Sequence, residues 1–273
     1  MGSRVASGAR ITYRRQPGFQ KTMTQIRVIT PIISRGFRDD GPLRACVPDG
    51  CGLDQVFLEN GPASVESAVD EVLAGPGVID AALAAEADGV QAIVIDCMLD
   101  PALDAAREAV SIPVIGCGEA GMAAAVAHGP FSIITVLQRQ ERDFRALAAK
   151  CGLGNGLVSV RGIGISVLDL ERRREASIAA TIRGAQSAAA EDGAVSIVFG
   201  CTGMLGFADP VAEALGWHAE RVIDPLPHAV AVAHAAARNG ALSDKLLYPE
   251  PEAKEVRGFT SWPHLDAKMA GQS

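Results

Sequence analysis

Two stretches of the chain decide the fold: DGVQAIVIDC at residues 88–97 and DGAVSIVFGC at residues 192–201. Each opens with Asp-Gly, continues with an apolar run and ends on a cysteine. Such a run predicts a buried strand, because strands of a parallel sheet are apolar on both faces. The two stretches align at every position with an offset of 104 residues. We interpret them as two copies of one α/β unit, each with a thiol at the carboxyl end of a strand.

Apolar runs alternate with Ala-rich helical segments along the rest of the chain. The predicted strands are residues 26–32, 51–58, 91–96, 112–116, 131–137, 158–165, 195–200 and 221–226. The predicted helices are residues 64–74, 102–110, 122–128, 141–151, 168–191, 210–216 and 228–240. This alternation predicts an α/β fold with two pseudo-symmetric lobes, each a parallel sheet flanked by helices. Because ligands bind at the carboxyl ends of such strands, we expect the active site in the cleft between the lobes.

The same pattern predicts the boundaries of the two lobes. The first lobe comprises residues 26–118 and 228–258, the second residues 119–227, and residues 259–273 form a tail. Residues 1–25 hold five basic side chains and no acid, and we expect a basic, disordered extension. We interpret it as an over-long translated start, with Met23 as the true one, in preference to a transit peptide.

Composition excludes several classes of function. The chain has 273 residues, 48% of them hydrophobic, and its net charge of −7 argues against a nucleic-acid partner. No apolar run reaches the ~18 residues that a membrane span needs. Without a secretory signal, we expect a cytoplasmic location and six reduced cysteines. The pair in CVPDGC at 46–51 has no second pair of ligands, so we expect no metal.

The cysteines that end the two repeats, Cys97 and Cys201, are the candidate catalytic residues. Backbone N–H groups are often free where a strand ends, and we expect them to lower each thiol pKa from ~8.5 toward neutrality. Two opposed thiols suit the inversion of a carbon acid. One of them, as the thiolate, removes a proton from one face, and the other delivers a proton to the opposite face. This reaction needs no cofactor if an adjacent carbonyl delocalises the carbanion.

Seven segments of the chain resemble the aspartate/glutamate/hydantoin racemase superfamily, and within it the hydantoin racemase branch. They are GPASVESAVDE (61–71), CMLDPALDAARE (97–108), IPVIGCGEAGM (112–122), FSIITVLQR (131–139), FGCTGM (199–204), VIDP (222–225) and LSDKLLYPEPE (242–252). The resemblance implies two α/β lobes, with Cys97 and Cys201 as the acid–base pair. It also implies a small-molecule substrate, no cofactor, and a homo-oligomer of two or more subunits.

The resemblance further implies which residues bind the substrate. They are Pro31, Ile33, Ser34, Ser64, Met98, Thr135, Val136, Thr202 and Gly203. Members of the branch commonly have Asn-Pro-Asn-Ser/Thr where this chain has TPIIS at 30–34, and Thr-Thr where it has Thr135-Val136. Having fewer polar side chains at these positions predicts a bulkier, more apolar substrate.

A competing motif is GCGEAG at 116–121, because G-x-G-x-x-G between a strand and a helix can bind a dinucleotide. Arg139, beyond the next strand, suits a 2′-phosphate, so an NADP-binding oxidoreductase stays an alternative. The other interpretation of these glycines is close packing between the lobes.

We favour a cofactor-independent racemase that acts on a 5-substituted hydantoin or an allantoin-like ureide. The alternatives within the superfamily are an amino-acid racemase, an enzyme like maleate isomerase, or a decarboxylase. A non-catalytic binding protein on the same scaffold is a further alternative.

Overall fold

The computed structural model describes residues 23–269 and residue 271, so residues 1–22 of the predicted basic extension lie outside the described residues. The strands are β1 Thr24–Thr30, β2 Cys51–Phe57, β3 Ala92–Ile95, β4 Val114–Gly116, β5 Phe131–Thr135, β6 Leu157–Gly162, β7 Ser196–Phe199 and β8 Val222–Ile223. The helices are α1 Gly41–Ala45, α2 Ala68–Ala87, α3 Leu103–Ala109, α4 Cys117–Val126, α5 Glu141–Lys150, α6 Arg174–Glu191, α7 Ala208–Leu215, α8 Pro225–Arg238 and α9 Pro263–Met269.

The described strands form two four-stranded sheets with the same internal order. The first runs β2-β1-β3-β4 and the second runs β6-β5-β7-β8. Every neighbouring pair is parallel. The two repeats form β3 and β7, which hold the same place in their sheets and are buried along their whole length. The predicted α/β fold with two pseudo-symmetric lobes is therefore confirmed.

The Asp-Gly that opens each repeat ends a helix. Asp88 is the C-cap of α2, and Asp192 is the C-cap of α6. Gly89 and Gly193 follow with φ angles of +78° and +73°. Glycine adopts this left-handed conformation at little cost, so the chain can leave the helix and enter the next strand at once.

Helix α4 begins at Cys117, five residues before its predicted start. The carboxylate of Asp100 accepts hydrogen bonds from the N–H groups of Gly118 and Glu119, both at 2.8 Å. A Cβ at Gly118 would lie 2.3 Å from the carbonyl oxygen of Met98. Gly116 and Gly118 thus make room for Asp100 and its loop, and Gly121 packs closely against Pro225 and Val198. Because Asp100 takes the helix end where a phosphate would bind, the structure favours the packing interpretation over a dinucleotide site.

Other helix bounds also differ from the prediction. Helix α2 continues past the predicted end at 74 to Ala87 and contains Pro76. Its N-cap is Ser67, whose Oγ accepts a hydrogen bond from the N–H of Asp70 at 3.3 Å. The predicted tail contains α9, which packs on α2. The predicted lobe boundaries and the homo-oligomer stay predictions.

All six cysteines are free thiols in the structure. Within residues 23–269 and 271, no group of three or more His, Cys, Asp or Glu side chains is arranged to hold a metal ion. No helix in the same part of the chain has the length and apolar character that crossing a membrane requires.

We expect Gly118→Ala to lower the free energy of unfolding by about 2–3 kcal/mol, because its Cβ overlaps the backbone oxygen of Met98. The control is Gly184→Ala in α6, where the nearest atom to the new Cβ lies at 3.4 Å, an ordinary contact. That variant should be neutral or more stable by up to about 1 kcal/mol, since alanine favours helix. Urea unfolding of both variants measures the difference, and equal values would contradict the packing interpretation.

Candidate active site

A cavity opens between the two lobes at the carboxyl ends of their central strands. It contains about 420 Å³ of space free of protein atoms, counting its mouth. The first lobe contributes Thr30, Pro31, Ile32, Phe37, Val65, Asp96, Cys97, Met98 and Leu99 to its lining. The second lobe contributes Val136, Gln140, Val167, Gly200, Cys201 and Thr202. Both candidate catalytic thiols therefore line one cavity.

Cys97 and Cys201 lie in equivalent turns, two residues beyond the ends of β3 and β7. In each lobe, the N–H of the preceding residue donates to the neighbouring strand, at 2.9 Å in the first lobe and 2.7 Å in the second. The carbonyl of each cysteine accepts the N–H three residues later, at 3.1 Å and 3.0 Å. The repeat in the sequence thus becomes a repeat in the geometry of the two thiols.

Both thiols resist ionisation. Burial raises the pKa of Cys201 to about 12 and raises the pKa of Cys97 well above its ordinary value. The N–H of Gly203, 3.3 Å from the sulfur of Cys201, and the N–H of Leu99 beside Cys97 lower the pKa of these thiols by less. The expectation of acidified thiols is therefore wrong, because loss of water outweighs one N–H donor at each sulfur.

A buried arginine ties the two thiol turns together. The guanidinium of Arg38 donates to both oxygens of Asp96 at 3.0 Å and 2.7 Å, and to Asp40 at 2.7 Å. It also donates to the backbone carbonyl of Thr202 in the other lobe at 3.2 Å. The hydroxyl of Thr202 in turn donates to the backbone carbonyl of Asp96 at 3.3 Å. Asp96 precedes Cys97 and Thr202 follows Cys201, so these bonds connect the turns directly.

The charges around the site act differently on the two thiols. The positive charge of Arg38 lowers the pKa of Cys201, against the dominant effect of burial. At Cys97, the charges of an ionised Cys201, of Asp100 and of Asp96 raise the pKa further, beyond the effect of burial. The charge of Asp96 also raises the pKa of Cys201.

Comparison with known proteins identifies the family of this chain. Residues 43–233 match the family described as Asp/Glu/Hydantoin racemase. The chain belongs to this family. A hydantoin racemase from a Pseudomonas species is 38% identical over 200 residues, which span 72% of this chain and 79% of that protein.

Two solved structures closely resemble the fold of this chain. Allantoin racemase from Klebsiella pneumoniae superposes with a TM-score of 0.80 at 31% identity, covering 88% of this chain and 98% of that one. Allantoin racemase from Pseudomonas fluorescens superposes with a TM-score of 0.81 at 27% identity, covering 86% of this chain and 100% of that one.

Several residues that the family resemblance assigned to substrate binding are at the cavity. Pro31, Met98, Val136 and Thr202 line it, and Gly203 lies beside it as the N–H donor to Cys201. Their role in binding stays a prediction.

The other predicted binding residues lie elsewhere. Ile33 is 44% exposed and outside the cavity. Ser34 lines a separate surface pocket, and Ser64 does not line the cavity, although Val65 does. Thr135 is fully buried behind the lining, where its hydroxyl hydrogen-bonds Gln140. None of these four residues lines the cavity.

Sequence reasoning missed two polar residues of the site, Arg38 and Gln140. Arg38 lies in a loop rich in Gly and Asp, and its importance depends on partners far away in the chain. Gln140 lies in QRQ at 138–140, where no motif marks it as part of a site. The signal that could have identified it is its place just beyond the end of β5, the strand beside β7.

We expect Arg38→Met to lower the free energy of unfolding by about 3–5 kcal/mol, because the variant leaves the carboxylate of Asp96 buried without its partner. Arg27→Met is the matched control. Arg27 also bridges two carboxylates, Asp54 and Asp88, but both of these are more than half exposed to solvent. The control variant should lower the free energy of unfolding by about 1 kcal/mol or less. Urea unfolding compares the two variants, and similar losses would contradict the role given to Arg38.

We expect alkylation of Cys201 by iodoacetamide to accelerate about tenfold per pH unit between pH 7 and pH 9.5, because the thiolate fraction grows this way below a pKa of about 12. Peptide mass spectrometry reports the rate at each cysteine, with the exposed Cys46 as the accessible reference in the same sample. A plateau at Cys201 below pH 9 would show that burial does not control its pKa.

Proposed function

We propose that the chain is a cofactor-independent racemase whose two thiols, Cys97 and Cys201, exchange a proton with a carbon acid. One observation carries this proposal: the thiols occupy equivalent turns of two like sheets and line the same cavity. The names of the relatives, hydantoin racemase and allantoin racemase, support the class of reaction.

The charges of the cavity support a neutral substrate. Among its lining residues, Asp96 is the one with an ordinarily charged side chain, and Arg38 pairs with it. The ammonium and carboxylate of a free amino acid would enter this cavity without an opposite charge, which is unfavourable away from water. A 5-substituted hydantoin or an allantoin-like ureide presents neutral amide groups instead. The apolar residues of the lining suit an apolar substituent at C5.

The proposed reaction moves one proton in and one proton out. The thiolate of Cys201 removes the proton from C5, and the electron pair of the broken C–H bond delocalises onto the ring carbonyl as an enolate. The thiol of Cys97 then protonates the opposite face and becomes the thiolate. The total charge is unchanged, and the enzyme now has the thiolate that removes a proton from the other enantiomer. The charge of Arg38 supports Cys201 as the first thiolate, because it lowers the pKa of that residue.

The test follows one enantiomer of 5-benzylhydantoin in D2O, with a blank without enzyme for spontaneous exchange. We expect optical rotation to decay while deuterium enters C5. Cys97→Ser and Cys201→Ser should each reduce racemisation at least about 100-fold, because each variant lacks the acid or base for one face. Each can retain one-sided exchange without inversion.

Cys46→Ser is the control, since Cys46 is exposed and outside the cavity. It should retain the rate of the unmodified protein. Full activity in either active-site variant would overturn the assignment of the thiols. The absence of any exchange in the unmodified protein, with hydantoins that carry several different substituents, would overturn the proposed substrate class.

A further inference from the structure

Gln140 is a buried amide at the wall of the proposed active site. It is 2% exposed and lines the same cavity as Cys97 and Cys201. It directly precedes α5, yet its side chain makes no capping bond to that helix. Buried amides of this kind nearly always hydrogen-bond, because losing water without a replacement partner is unfavourable.

One end of this amide is held by the protein. The hydroxyl of Thr135 donates to Oε1 of Gln140 at 2.8 Å, and the same hydroxyl lies 3.2 Å from the carbonyl oxygen of Gly200. Thr135 is fully buried at the end of β5, so the amide has a fixed support. With Oε1 engaged in this way, Nε2 is the end available for a further contact. Among residues 23–269 and 271, no hydrogen bond from Nε2 is formed.

The other polar side chains of the lining already use their donors. The hydroxyl of Thr30 donates to the carboxylate of Asp96 at 2.8 Å. The hydroxyl of Thr202 donates to the backbone carbonyl of Asp96. Asp96 itself accepts from Arg38. Gln140 is therefore the lining residue, among those described, whose side-chain N–H groups remain available to a ligand.

We propose that Nε2 of Gln140 donates a hydrogen bond to a ring carbonyl oxygen of the substrate and so determines specificity for cyclic ureides. This inference rests on the proposed function. Val136, which also lines the cavity, has no side-chain donor. A neutral amide matches a neutral carbonyl and adds no charge to a cavity whose single charged pair is already satisfied.

Gln140→Leu and Gln140→Glu test the inference. The first variant removes the donor, and the second keeps an oxygen for Thr135 while replacing Nε2. The substrates are 5-benzylhydantoin and its 2-thio and 4-thio analogues, since sulfur is a weaker acceptor than oxygen. We expect kcat/KM for the oxo substrate to fall about 10- to 100-fold in both variants, because the ligand carbonyl loses its partner. The preference of the unmodified protein for oxygen over sulfur should also disappear at one of the two ring positions.

The change of preference separates recognition from a structural role. A damaged fold would lower the activity on all three substrates by the same factor, and thermal unfolding would reveal it. Equal losses on the oxo and thio substrates, or kcat/KM within twofold of the unmodified protein, would overturn the role of Gln140.

Gln138→Leu is the matched control. Gln138 lies two residues earlier in the same turn, but its amide bonds the backbone of Val160 and Gly162 and does not line the cavity. It should change stability and leave the oxo-to-thio preference intact. The unmodified protein on the same substrates distinguishes the two proposals. If it exchanges no hydantoin proton, the substrate class of the proposed function fails. If it does exchange hydantoin protons and both Gln140 variants keep its oxo-to-thio preference, only the inference about Gln140 fails.

Discussion

The arrangement of the site depends on one positive charge buried between the two lobes. The guanidinium of Arg38 is almost fully removed from water, and a buried charge is tolerated only where partners replace the water it has lost. Its partners are Asp96, Asp40 and the carbonyl of Thr202. Two of these three groups adjoin the thiols in sequence. Displacing one thiol turn relative to the other would therefore break charge-assisted hydrogen bonds in a dry environment, and this constraint keeps the two sulfurs at one cavity.

The sequence was sufficient to predict features that depend on local signals. The apolar runs predicted all eight described strands to within a few residues, and the Asp-Gly repeat predicted the equivalence of β3 and β7. Both cysteines follow from that repeat. Arg38 could not be predicted in this way, because the partners that connect it to the thiol turns, Asp96 and Thr202, lie 58 and 164 residues away in the chain. Gln140 is similar. Its hydrogen bond from Thr135 is local, but its side chain faces a cavity that exists only because the two lobes pack together.

The misplaced start of α4 has a tertiary cause. Two glycines in its first turns are poor helix formers, so the local pattern favours a later start. The helix begins at Cys117 because Asp100 reaches it from the loop after Cys97 and binds two free N–H groups. Asp100 and Ala102 adopt positive φ angles of 48° and 56° without being glycine. Such residues cost of order 1–3 kcal/mol each, and here the two hydrogen bonds to α4 offset part of that strain. The strained loop is the one that carries Cys97.

The high pKa of each thiol has two opposite effects on the proposed chemistry. The carbon acid beside a ring carbonyl is a weak acid. When the pKa of a thiol is raised, its thiolate is a stronger base, so proton transfer from the carbon to the thiolate is less unfavourable. The opposing disadvantage is that only a small fraction of each thiol is ionised. Arg38 acts against that disadvantage at Cys201, because its charge favours the thiolate there. Asp96 disfavours ionisation of both thiols, and Asp100 disfavours ionisation of Cys97. The same guanidinium that holds the two turns together thus makes the two thiols chemically unequal, although the repeat makes their backbone positions alike.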